Sequence, residues 1–208
     1  MKEQEINEKQ SLGIITEMIA RTKDRYIGNG NIMLLWGYLT VAVSILVWVM
    51  LAITHQGAWN FLWFLIWIIG GIATPVMARK EQKNGSVKNY SDRITSQIWT
   101  VVGIIAIVAS IMCLDFQLIG GVCSWAMMLA FALIVVPFAE ITQGIILKER
   151  SLTAGGIVGM VIGIFTLCCI AGRVPLYVNW YLPMFASAFV AMFVVPGHIL
   201  NHKAKAEK

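Results

Sequence analysis

Apolar residues come in six long blocks along the chain, separated by short polar stretches. The blocks run approximately Ile32–Ile53, Trp59–Ala78, Ile94–Leu114, Val122–Leu147, Leu152–Gly172 and Leu176–Leu200. Each is close to the roughly 20 residues that carry an α-helix across a bilayer core. An open sheet cannot satisfy its edge amides in lipid, so the pattern predicts six transmembrane helices.

The first 31 residues follow a different pattern. Leu12, Ile15, Ile19 and Tyr26 fall on one helical face, with Arg21, Lys23, Asp24 and Arg25 mostly elsewhere. This predicts an amphipathic helix that either rests on the inner membrane surface or docks on the protein's own loops. It lacks the early apolar core and small-residue cleavage site of a secretory signal. Gly28-Asn29-Gly30-Asn31 then breaks the helix, and Asn31 can cap the next one.

Composition strengthens the membrane reading. The chain is 58% apolar and only 13% charged, against about 25% charged in soluble domains. A charge inside hydrocarbon costs roughly 2.5 to 3.5 kcal/mol even on the most lenient insertion scales. Eight Trp and five Tyr suit interfacial belts.

The net charge of +5 raises the question of nucleic acid, and its distribution answers it. Fifteen of the sixteen Lys and Arg residues fall in four polar stretches: the N-terminal arm, residues 79–93, Lys148 with Arg150, and the tail from Lys203. The three alternating connections hold one, Arg173. That is the positive-inside signature, not a nucleic-acid patch. It predicts both termini in the cytoplasm. Asn84-Gly85-Ser86 and Asn89-Tyr90-Ser91 match the glycosylation pattern but fall on the inner side, which makes them chance matches.

The even-numbered blocks share a plan. They carry Pro75, Pro137 and Pro196, spaced 62 and 59 residues apart, and Trp59 and Trp180 each precede their proline by 16 residues. The odd blocks carry glycines: Gly37, Gly103, and Gly155, Gly156, Gly159 and Gly163 in the fifth. This suggests three tandem helical hairpins. Each proline removes a backbone donor and crowds the carbonyl four residues back, so each is a helix-kink candidate. The glycine run includes G-x-x-x-G spacing, which lets helices approach closely.

Candidate chemistry is sparse. Glu140 is the one carboxylate well inside an apolar block, with Thr142 and Gln143 behind it and His198 near the same level after Pro196. An intramembrane ionisable group is a candidate proton or cation contact. Glu140, Thr142, Gln143 and His198 are therefore the expected lining of a polar cavity opening to the cytoplasm. The structural alternative is a Glu140 that pairs with Lys148 or Arg150 at the membrane edge. His198 and His202 lie four apart without the HExxH pattern, and no metal site is expected. Asp115 and Arg173 are candidates for an outer ion pair. Cys113, Cys123, Cys168 and Cys169 cluster near outer block ends, as a disulfide or as small packing residues. There is no GxSxG, P-loop or Rossmann fingerprint, so an enzymatic reading has no motif behind it, and no cofactor is expected.

The runs SLGIITEMI, LLWGYL, GIILKERSLTAGGI and VVPGHILN resemble a group of integral membrane proteins of similar length from Bacteroidetes. Their usual features are an LLWGW-like first span, an ILKF-P-L-x-IGG-like fourth-to-fifth junction and a PGY-like last span. Here Tyr38 replaces the second Trp, Glu149 and Ser151 interrupt the junction, and His198 stands where an aromatic is common. The resemblance covers most of the chain. It implies six spans and a bacterial inner membrane, and it carries no assigned activity or site residues.

The sequence thus predicts an all-α polytopic membrane protein with an amphipathic arm over 1–31, a six-helix domain over 32–200 and a basic tail over 201–208. Its main partner is the lipid bilayer. Two functional classes fit. One is a small-solute or ion transporter or channel component, working as a homo-oligomer. The other is a scaffold or sensor that presents residues 1–31 and the 79–93 loop to a cytosolic protein or to anionic lipid. Topology is directly testable. A single cysteine placed at Lys205 in a cysteine-free chain should react with a membrane-impermeant maleimide only after the membrane is permeabilised, and labelling of intact cells would reverse the assignment.

Overall fold

The computed structural model describes residues 13, 30–83, 90–122 and 124–206. Apart from Gly13, Gly30 and Asn31, the expected N-terminal helix lies outside them, as do residues 84–89 of the second-to-third connection and Cys123. The described residues are helical, with no strand among them. Helix α1 spans Asn31–Thr54. A 3-10 turn over Gly57–Trp63 leads into α2, Phe64–Lys83. Helix α3 is Tyr90–Leu118, α4 is Trp125–Leu147 and α5 is Arg150–Ala171. Helix α6, Val178–Phe189, passes through a π segment, Val190–Val194, into α7, Val195–Ala206.

Among the described residues, six stretches are long and apolar enough to cross a membrane: Asn31–Thr54, Gly57–Lys80, Ser91–Leu118, Trp125–Leu147, Arg150–Ala171 and Val178–Ala206, the last hereafter span six. Their outward faces are apolar. Ile72 in α2, Ile107 and Ile111 in α3 and Val161 in α5 are all more than half exposed. Contiguous apolar surface on this scale belongs against lipid, so the protein is a multi-pass membrane protein.

The most extensive packing joins α4 to α5. Their link is only two residues long. Lys148 takes the left-handed conformation (φ 51°) that ends α4. Its N–H donates to the Ile145 carbonyl, and the Glu149 N–H donates to the Gly144 carbonyl at 2.8 Å, which together close a Schellman-type cap. Glu149 then caps α5: its Oε1 accepts from the Ser151 hydroxyl at 3.0 Å, with the Ser151 N–H at 3.5 Å. A carboxylate at this position also meets the positive end of the α5 dipole.

Beyond the link, small residues let the two backbones touch. Pro137 deprives the Leu133 carbonyl of its helical donor, and that oxygen lies where a Cβ on Gly163 would be. A Cβ on Gly156 would sit 3.0 Å from the Pro137 carbonyl oxygen.

Span six packs between α1 and α5. Its spine is a ladder of Phe185, Phe189 and Phe193, with ring centroids 4.9 Å and 5.7 Å apart. Trp63 and Trp99 meet this ladder edge-on at Phe185 and Phe193. Helix α2 lies against α1, and α3 lies against α4. Pro75 and Pro137 sit inside continuous helices, whereas Pro196 directly follows the change of register at the π segment.

This packing sets two glycines apart. Gly163→Ala should cost about 1–3 kcal/mol, because a methyl group there displaces a helix. Gly103→Ala, where nothing lies within 4 Å, should be neutral or stabilise by up to about 1 kcal/mol. Thermal unfolding in detergent measures both, and equal midpoints for the two variants would contradict the close α4–α5 approach.

Candidate functional site

Glu140 follows from the periodicity of α4. Leu133, Pro137, Glu140 and Gly144 recur at helical spacing and are all buried. They form the stripe that faces the glycines of α5. Glu140 is 0% exposed, and neither carboxylate oxygen has a hydrogen-bond partner. It therefore does not pair with Lys148 or Arg150. The opposing wall comes from α5 and span six. A Cβ added to Gly155 would sit 3.1 Å from Glu140 Oε1, 2.7 Å from the Ala191 carbonyl oxygen and 3.1 Å from Pro196 Cγ.

The other three expected lining residues point elsewhere. At about 100° per residue, Thr142 lies roughly 200° round the helix from Glu140. Its hydroxyl donates to the Phe138 carbonyl of its own helix at 2.8 Å. Gln143 Oε1 accepts from the Trp99 indole N–H at 2.7 Å and ties α4 to α3. His198 is exposed and bonds to the Tyr38 hydroxyl at 2.7 Å. The structure thus seals Glu140 alone between helices and does not gather these four residues around one cavity. The groove near Lys148, lined also by Ile145, Arg150, Thr153 and Ile157, does not include Glu140.

The expected pair of Asp115 and Arg173 does not form. Both are exposed, and no ion pair joins them. Asp115 lies in α3 and Arg173 just past α5, and each of these helices packs chiefly on α4. Cys113, Cys168 and Cys169 are free thiols. Among the described residues, no three His, Cys, Asp or Glu side chains gather at metal-binding spacing.

At the end of the bundle carrying Lys148 and Arg150, α7 is fastened by polar contacts. Lys203 Nζ reaches both oxygens of Glu149, at 2.7 and 2.8 Å. Asn201 donates to the Asn31 side chain at 2.8 Å, and His198 meets Tyr38. No local pattern in the sequence announces this fastening, because its partners lie far apart in the chain. Burial alone would raise the Glu149 carboxyl, but the Lys203 ammonium and the Ser151 hydroxyl outweigh it and hold it below its ordinary value. The chain matches no family model, no curated protein and no solved structure.

The Glu149 contacts have a pH signature. A carboxyl lowered by folding contributes stability above its unfolded value, about 4.3, and loses that contribution as pH falls through its folded value. Glu149→Gln should therefore lower the unfolding midpoint at neutral pH by the equivalent of about 1–2 kcal/mol. The gap to the wild type should begin to narrow below about pH 4 and close once the folded carboxyl is protonated. Melting curves across pH check this, and a gap that persists in acid would contradict it.

Proposed function

We propose that the protein is a component of a small-solute or ion transport system, with Glu140 as the group that takes up the transported or coupling cation. The observation that carries this reading is the complete burial of Glu140 with both oxygens unpartnered. An isolated carboxyl inside the membrane is costly. A merely structural carboxylate would be expected to hold an ion pair, as Glu149 does with Lys203.

The setting supports the same reading. A π segment lies beside the carboxyl, and π-bulges occur frequently at functional sites. In this reading the basic end faces the cytoplasm of a bacterial inner membrane, and cations enter from that side when α7 loosens. The three proline-bearing spans belong to three hairpins related by an ancient repeat. A chain of this size works as a homo-oligomer.

Transport is measured with protons as the probe. The purified chain is reconstituted into phosphatidylethanolamine–phosphatidylglycerol vesicles with a trapped pH dye, potassium and valinomycin. An imposed pH gradient should collapse faster than in empty vesicles. Glu140→Gln should reduce the excess rate at least about tenfold, a loss of roughly 1.4 kcal/mol in the rate-limiting barrier, with helix content unchanged. A wild-type rate equal to that of empty vesicles, or a Gln variant as fast as the wild type, would overturn the proposal.

A further inference from the structure

The surroundings of Glu140 specify the ligand more narrowly. In the π register, the Val195 N–H donates to the Val190 carbonyl, five residues back. The next donor in that register would serve the Ala191 carbonyl, and residue 196 is a proline, which has none. The Ala191 oxygen is thus left without its helical donor. It sits beside Gly155, against the same spot as Glu140 Oε1.

Both groups are acceptors, and neither Glu140 oxygen has a donor. Ionised, the carboxylate would be repelled by the carbonyl dipole. Protonated, it becomes a donor with an acceptor waiting. A metal cation in so dry a place needs about six oxygen ligands, and among the described residues no three His, Cys, Asp or Glu side chains gather to hold one.

We propose that Glu140, Gly155 and Ala191 form a buried proton-binding site, in which the protonated Glu140 carboxyl donates to the Ala191 carbonyl left free by Pro196. The proton comes from water and returns to it, and no covalent bond changes other than O–H. Gly155 keeps the space open, since a methyl group there would meet both oxygens. The π register holds the acceptor in place, so the protonation of Glu140 bears on the geometry of span six.

No other titratable group bonds to this carboxyl. Lys148, at the end of its own helix, is about 12 Å along the axis. Glu149 and Lys203 are bonded to each other, and His198 to Tyr38. Arg150 is exposed at the start of α5. Tyr181 is about 15 Å from Ala191 along span six.

This inference deepens the transport reading and rests on its choice of Glu140, but its test is separate from flux. The full chain in phospholipid nanodiscs is titrated by infrared difference spectroscopy, which reads the C=O band of a protonated carboxyl. One titrating band should vanish in Glu140→Gln. Pro196→Ala restores an amide donor to the helix and removes the free acceptor. It should weaken proton binding about tenfold, moving the midpoint down by about one pH unit. Gly155→Ala should move it in the same direction.

If Glu140→Gln does not fold, the midpoints of the Pro196 and Gly155 variants decide. A band that survives Glu140→Gln, the absence of any such band, or midpoints unmoved in both Pro196→Ala and Gly155→Ala would overturn the site. A vesicle assay without flux but with these shifts would sink transport and leave the site standing. Flux that depends on Glu140, with unmoved midpoints, would do the reverse.

Discussion

Backbone contact between α4 and α5 is the constraint on which the rest of the structure depends. In a bilayer there is no hydrophobic drive to press helices together, so close packing must come from shape. The glycines of α5 provide it. Gly156 and Gly163 face carbonyls of α4, and Gly159 receives the side chains of Met192 and Pro137. With larger residues along this stripe, α5 would stand off from both α4 and span six. The pocket that seals Glu140 would then open to lipid.

The prolines and glycines are two halves of one arrangement. A proline within a spanning helix leaves a carbonyl without its donor, which is costly in hydrocarbon. Two of the freed oxygens, on Leu133 and Ala191, lie directly against Gly163 and Gly155. There, Cα–H groups can approach as weak donors. Pro137 and Pro196 both belong to spans that clasp α5. Pro75, by contrast, lies in α2, which packs on α1, away from α5. The similar spacing of the three prolines therefore hides different local settings.

Much of the fold could be read from the chain. The first block, Ile32–Ile53, is α1 to within a residue at each end, because lipid exposure and helix formation coincide there. The third runs on to Tyr90–Leu118. Hydropathy marks where the solvent changes, while backbone hydrogen bonds carry the helix into polar residues beyond. The second opens with a 3-10 turn, a register that side-chain polarity does not encode. The π segment was equally invisible, although Pro196 marked its neighbourhood. For the site, Glu140 stood out as an isolated carboxylate, and its stripe with Pro137 and Gly144 was implicit in the spacing. That Gln143 would serve Trp99 and His198 would serve Tyr38 depends on which helices become neighbours, and local pattern holds no such information. The amphipathic arm and the loop on which a scaffold role would rest lie chiefly outside the described residues.

The bond between Glu149 and Lys203 spans 54 residues of sequence. At about 5–20 residues per second of synthesis, the carboxylate emerges roughly 3 to 11 seconds before its cation exists. During that interval the α4–α5 pair must settle at the membrane edge with Ser151 as the carboxylate's partner within the pair. The lysine arrives as a closing clasp. Assembly of the bundle is therefore completed at this end by a single charge pair, and a nascent chain stalled before that lysine would hold its acid without a cation.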